Sequence, residues 1–195
     1  STSLFSTIHE AGHALYEQGV DQALERTHLA GGQGLVLHES QSRLWENIIG
    51  RSAWFWQKSK AFVRGINIVR PSLIRTEADE VTYGLHIMLR FEIERELVTG
   101  KIKVADLPKV WNAKMQNYLG ITPKNDREGV LQDVHWSHGM FGYFPTYLLG
   151  TIASAQIWKA MPPTHDLKKI REWLKTNLHQ HGKLYTSQEL LRKIT

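Results

Sequence analysis

His9, Glu10 and His13 form a His-Glu-x-x-His run, and Glu39 follows thirty positions after His9, within the His-Glu-Ser-Gln stretch at 38–41. No other feature constrains the fold as strongly. Two histidines four residues apart face the same way on a helix, where i and i+4 side chains lie about one turn apart. If the two are to share one metal, residues 4 to 18 must be helical. A second helix must bring Glu39 against the first if the three side chains are to hold one metal ion. Glu10 sits roughly 100° round the helix from His9. Its carboxylate can thus reach a water at the metal without occupying the metal itself. Three protein ligands with a fourth position left to water is the pattern of catalytic zinc, whereas structural zinc sites are closed by four.

The motif alone is only moderately specific. With 10 His and 13 Glu in 195 residues, an accidental copy arises roughly 3 times in 100 such chains. The competing reading is an amphipathic helix with two solvated histidines, and the Glu39 spacing weighs against it. The flanks point the same way. Leu4, Phe5, Ile8, Ala11, Leu15 and Tyr16 supply an apolar face, and Ser6 or Thr7 is a candidate helix cap. Gly12 costs a helix on the order of 1 kcal/mol relative to alanine, so it signals close packing against another element.

The rest of the chain reads as mainly α. Helical periodicity marks 4 to 19, 38 to 60, 76 to 99, 105 to 119, 139 to 161, 165 to 180 and 187 to 194. The glycine-rich stretch 27–37 reads as an irregular loop or one short β segment. Six of the tryptophans (Trp45, Trp54, Trp56, Trp111, Trp158, Trp173) fall at helical positions and read as packing residues. With 42% hydrophobic residues and no long linker, residues 1–195 are expected to form a single domain.

Composition also excludes classes. The absence of cysteine removes thiolate metal sites and cysteine nucleophiles and fits a reducing, cytoplasmic setting. The formal charge of +5 is modest, and its cations are interleaved with acids, as at Arg90, Glu92, Glu94, Arg95 and Glu96. Nucleic-acid binding is not expected. The most apolar stretch, Met140 to Met161, is interrupted by Pro145 and glycines, so no membrane span is expected either.

A hydrolytic reading assigns Glu10 the proton from the attacking water and its transfer to the leaving amine. Further donors would stabilise a developing oxyanion. His135, His138, Tyr143 and Tyr147 supply a dense group of them, although Trp136, Phe141, Tyr143, Phe144 and Tyr147 can equally form an aromatic core patch. If a substrate carries a free carboxylate, arginine holds it best. Arg75 is the first candidate and Arg127 the second, while an Arg75–Asp79 surface ion pair is the alternative for the former. Asp79, His38 and Gln132 are candidates for orienting the metal ligands.

Four ordered motifs, HEAGH at 9–13, HESQ at 38–41, IRTEAD at 74–79 and GVLQDVHW at 129–136, make the chain resemble the M32 metallocarboxypeptidases of the bacterial type over its whole length. The resemblance implies a helical gluzincin fold and zinc, or cobalt as a substitute, on His9, His13 and Glu39. It implies Glu10 as general base and acid, and His135 and Tyr147 facing the oxyanion. The substrates would be peptide or protein C-termini, trimmed with broad specificity, and the full-length protein would be a homodimer. An endopeptidase or oligopeptidase of the same helical class is the nearest alternative, and a non-catalytic interaction module keeping the fold is another. The family's upstream HPF and DxRxT motifs do not occur here. On the resemblance, the chain is expected to be a C-terminal fragment with its ligands present and weak or no peptidase activity.

Overall fold

The computed structural model describes residues 2–57 and 60–195, with Thr2 described as backbone only. Among the described residues there is no strand. The helices are α1 (Thr2–Gly19), α2 (Gly34–Arg43), α3 (Ala53–Trp56), α4 (Lys60–Ile66), α5 (Glu80–Val98), α6 (Leu107–Leu119), α7 (Phe144–Ala160), α8 (Leu167–Asn177) and α9 (Ser187–Ile194). The chain divides into two compact units, one of Ser1–Ile66 with Leu149–Thr195 and one of Asn67–Leu148, and it passes from the second back into the first within α7.

Helix ends follow local chemistry. Asp79 accepts hydrogen bonds from the Val81 and Thr82 amides and starts α5, four residues later than periodicity suggests. Thr186 and Glu189 form a reciprocal capping box, so α9 occupies the expected 187–194. The expected start of a helix at 139 is corrected to 144. Gly139 and Gly142 adopt φ of 72° and 79°, which a right-handed helix cannot contain. Ser6 and Thr7 are not caps, because α1 already runs from Thr2 and the Thr7 hydroxyl donates to the Ser3 carbonyl inside it.

The expected helix 38–60 is broken. After α2 the chain makes a π turn over Leu44–Ile49, closed by the i→i+5 bond from Gly50 N to Trp45 O, and α3 follows. Lys58 and Ser59, within that span, lie outside the described residues. The stretch 27–33 is a loop, and Leu35, Val36 and Leu37 form the first turn of α2 rather than a strand.

In the first unit α1 packs on α2, and the core gathers Tyr16, Leu37, Leu44, Ile157, Leu174 and Leu190 from α1, α2, the π turn, α7, α8 and α9. Trp45 is buried there, while Trp54, Trp158 and Trp173 pack half-buried against it. Gly12 is the tightest point. A Cβ on it would stand 2.7 Å from both the Gln41 carbonyl oxygen and the Ser42 Cα, so α1 and α2 meet backbone to backbone.

In the second unit Leu89 and Ile93 of α5 pack on Trp111, Met115 and Leu119 of α6. Arg90 is fully buried among them, its guanidinium 4.6 Å from the Trp111 ring and 2.7 Å from Asp133. Burial pushes Arg90 down to about 10, still charged at neutral pH. Burial alone would raise Asp133, but Arg90 and Arg75 outweigh it and hold the carboxyl below the ordinary range.

Gly12→Ala should force α1 off α2 and lower stability by about 1–3 kcal/mol, read by chemical denaturation. Acid should also destabilise the fold. Burial holds His179 at about 3, with Arg171 contributing, and holds His86 at about 4, with Arg90 contributing. The unfolded chain takes up these protons near pH 6.5 and the folded one does not. Stability is therefore complete above about pH 6.5 and falls below it, by on the order of 1 kcal/mol per histidine per pH unit. Melting temperatures from pH 8 to pH 5 should show this fall, and His179→Gln should flatten it.

Candidate metal centre

On α1, Phe5 and Tyr16 point into the core while Glu10 is exposed and His9 and His13 are half-buried at its edge. The two imidazoles stand edge to face, ring centroids 4.9 Å apart. The close approach at Gly12 sets α2 beside them, and Glu39 is 6% exposed. A Cβ on Gly150 of α7 would lie 2.6 Å from the Glu39 Cβ, so Gly150 backs the carboxylate from behind. Its Oε2 reaches 3.7 Å from His9 Nε2 and 3.8 Å from His13 Nε2.

One ligand atom from each of His9, His13 and Glu39 lies within 4.8 Å of the others. Tetrahedral ligands about 2.1 Å from a zinc ion are separated by roughly 3.4 Å, and the two Glu39 contacts, at 3.7 and 3.8 Å, stand close to that spacing. The donors suit a divalent metal. His9 Nδ1 donates to Glu46 Oε2 at 2.8 Å, which leaves Nε2 as a lone pair. Glu39 Oε1 accepts from Arg43 Nε at 2.7 Å, and Arg43 Nη1 also reaches Glu46 at 3.4 Å. Burial would raise Glu46, but the His9 hydrogen bond and the Arg43 and Arg51 charges hold it below its ordinary value. Burial first, then the neighbouring His9, lowers His13, which favours the neutral form a metal needs.

Arg43 and Glu46 were not anticipated from the sequence. Their signal is present nonetheless, since 39, 43 and 46 are spaced i, i+4, i+7 and share a helix face. His38, one residue before Glu39, stands with its Nδ1 3.4 Å from His13 Nδ1.

The other expected site residues lie in the second unit. His135 is 8% exposed and its Nε2 is 3.1 Å from the Tyr147 hydroxyl. The His135 ring packs on Phe144 at 4.3 Å and on Tyr143 at 5.3 Å, so the aromatic patch and the donor group are the same cluster. Burial, then Arg75, lowers the His135 imidazole, leaving it neutral near pH 7. Arg75 is 7% exposed. It pairs with Asp133 at 2.9 Å, donates to the Tyr83 hydroxyl at 3.1 Å and lies 5.0 Å from the Tyr147 ring centroid. Asp133, not Asp79, is its carboxylate partner. Gln132 accepts from Arg75 N and Arg90 Nη2 and donates to the Leu73 carbonyl, so its observed role is to tie the second unit together. His138 is exposed and donates from Nδ1 to Val134 O within its own loop, and Arg127 is exposed.

Comparison with known proteins agrees on one group. A family model described as "Carboxypeptidase Taq (M32) metallopeptidase" matches residues 1–195. Carboxypeptidase 1 of Bacillus subtilis (strain 168) is 43% identical over 221 aligned positions, covering all of this chain and 44% of the relative. Thermostable carboxypeptidase 1 of Pyrococcus furiosus is 45% identical, covering 98% of this chain and 44% of the relative. Among solved structures, an M32 carboxypeptidase from Deinococcus radiodurans R1 superposes with a TM-score of 0.95 at 43% identity, over 98% of this chain and 44% of that one. The chain thus spans less than half the length of the relatives it matches.

Gly150→Ala should weaken divalent-metal affinity about tenfold or more with all three ligands intact, because the added methyl displaces Glu39. Zinc titration against a competing chelator measures this, with the melting temperature of the metal-free protein as the fold control.

Proposed function

Since the chain belongs to the M32 carboxypeptidase Taq metallopeptidase family, we propose that it carries the zinc centre of a metallocarboxypeptidase that releases C-terminal amino acids. The observation that carries this is the convergence of His9 Nε2, His13 Nε2 and Glu39 Oε2, with an exposed Glu10 beside the first ligand on α1. Two imidazoles and a carboxylate are the donor set of catalytic zinc, and cobalt accepts the same set. A bound ion of this kind supplies an acidified water and a polarised peptide carbonyl.

The side chains then divide the work. Glu10 takes a proton from the attacking water and returns it to the departing amine, which its exposure and place next to His9 suit. Glu46 and Arg43 hold His9 and Glu39 in aim, so little reorganisation accompanies binding. His135 and Tyr147, hydrogen-bonded to each other, donate to the developing oxyanion. Arg75, stacked over Tyr147, is assigned the substrate's free carboxylate, with Tyr143 and His138 contributing further contacts and Arg127 the alternative cation. In this reading residues 1–195 act as one catalytic domain.

Zinc analysis of the purified chain should give about one ion per molecule, lost in His13→Ala and retained in Glu10→Gln. In the protein carrying this chain, Glu10→Gln should reduce release of C-terminal residues by several orders of magnitude, and an amidated peptide should be spared where the free acid is cut. Equal cutting of both peptides would overturn the carboxypeptidase assignment, and a zinc-free, folded chain would overturn the metal assignment.

A further inference from the structure

The Nδ1 of His9 meets a carboxylate directly, but that of His13 does not. Its Nδ1 faces His38 Nδ1 at 3.4 Å, and His38 Nε2 lies 2.7 Å from Glu17 Oε1. The protons on this chain of groups follow from what each can do. An ionised carboxylate only accepts, so His38 Nε2 carries the hydrogen. A neutral imidazole then presents a bare Nδ1, and the hydrogen between the two histidines belongs to His13. That leaves His13 Nε2 as a lone pair directed toward Glu39, the tautomer that a metal requires.

Two further contacts pin the far end. Glu17 Oε1 also accepts from the Gly32 amide at 3.0 Å, and the Tyr16 hydroxyl accepts from the Gln33 amide at 3.0 Å. The loop between α1 and α2 is thereby fastened to the same turn of α1. The Tyr16 ring lies 4.9 Å from His38 and supports it from one side. Gly32 leaves the space beside both rings. A Cβ there would fall 2.6 Å from His38 Nε2 and 2.8 Å from Tyr16 Cε1. Its φ is not in the left-handed region, so room for the imidazole, rather than backbone conformation, demands glycine here.

We propose that Glu17 and His38 are positioning residues that set the tautomer and aim of His13, with Gly32 as the clearance that lets them close. The proposal rests on the metal reading given above. Because the relay ends on a loop, it also makes the 27–33 segment part of the metal centre's support, although none of its residues reaches the ligand atoms.

The test is zinc affinity of the chain by competition with a chromophoric chelator, alongside the melting temperature of the metal-free protein. His38→Phe keeps a ring beside Tyr16 and removes the acceptor. It should weaken zinc binding by about 10–100-fold. His38→Asn restores an acceptor oxygen near the place of Nδ1 and should bind within about threefold of the parent. Gly32→Ala removes no polar group, yet should weaken binding about tenfold by displacing the imidazole. Parent-like affinity in both His38→Phe and Gly32→Ala would overturn the relay, as would His38→Asn binding no better than His38→Phe. Failure of the underlying site is distinct: the parent would bind no zinc, or His13→Ala would bind it unchanged, and the relay would fall with it.

Discussion

The contact on which the first unit depends is the backbone meeting of α1 and α2 at Gly12. The amide groups of both helices are internally satisfied, so they can approach without leaving polar atoms orphaned. What limits their separation is side-chain bulk, and at Gly12 there is none. The candidate metal ligands sit on both sides of this contact, one residue after it, three before and across from it. The same device recurs at Gly150, where a missing side chain lets α7 press on Glu39. Glycine serves here as a measure of distance.

Around that frame, each candidate ligand is met by a side chain on its outer atom. Glu46 takes the outer nitrogen of His9, Arg43 takes the outer oxygen of Glu39, and His38 faces the outer nitrogen of His13. Binding a metal then costs little conformational entropy, because the rotamers are already chosen. The second unit applies the same logic to a different purpose. Arg90 and Arg75 converge on Asp133, and this buried pairing ties α5 to the segment that bears His135. Such a pairing adds little net stability, since desolvating the charges offsets much of their attraction.

Much of this was legible along the chain. The helical character, the grouping of His9, His13 and Glu39 and the close packing at Gly12 all followed from spacing and residue type. Thr186 to Glu189 shows how reliable a purely local device is, because the capping box involves only residues three apart. The failures were of another kind. Ser6 and Thr7 looked like caps, yet tertiary packing extends α1 past them. The π turn at Leu44–Ile49 leaves the hydrophobic pattern almost unchanged and so went unseen. Helical periodicity across 139–143 was real in composition, but positive φ at two glycines interrupts it.

The sequence by itself determined which atoms can take part: two imidazoles on one helix face, a carboxylate on another helix, a second carboxylate beside the first imidazole, and four ordered motifs that identify the family. Tertiary structure decided how those atoms are held. Glu46, His38 and Glu17 take their roles from partners 37, 25 and 21 residues away in the chain. Arg75 finds Asp133 58 residues on, rather than the nearby Asp79. Local spacing encodes the direction in which a side chain leaves its helix. Which group waits there depends on how helices pack, and no local pattern carries that information.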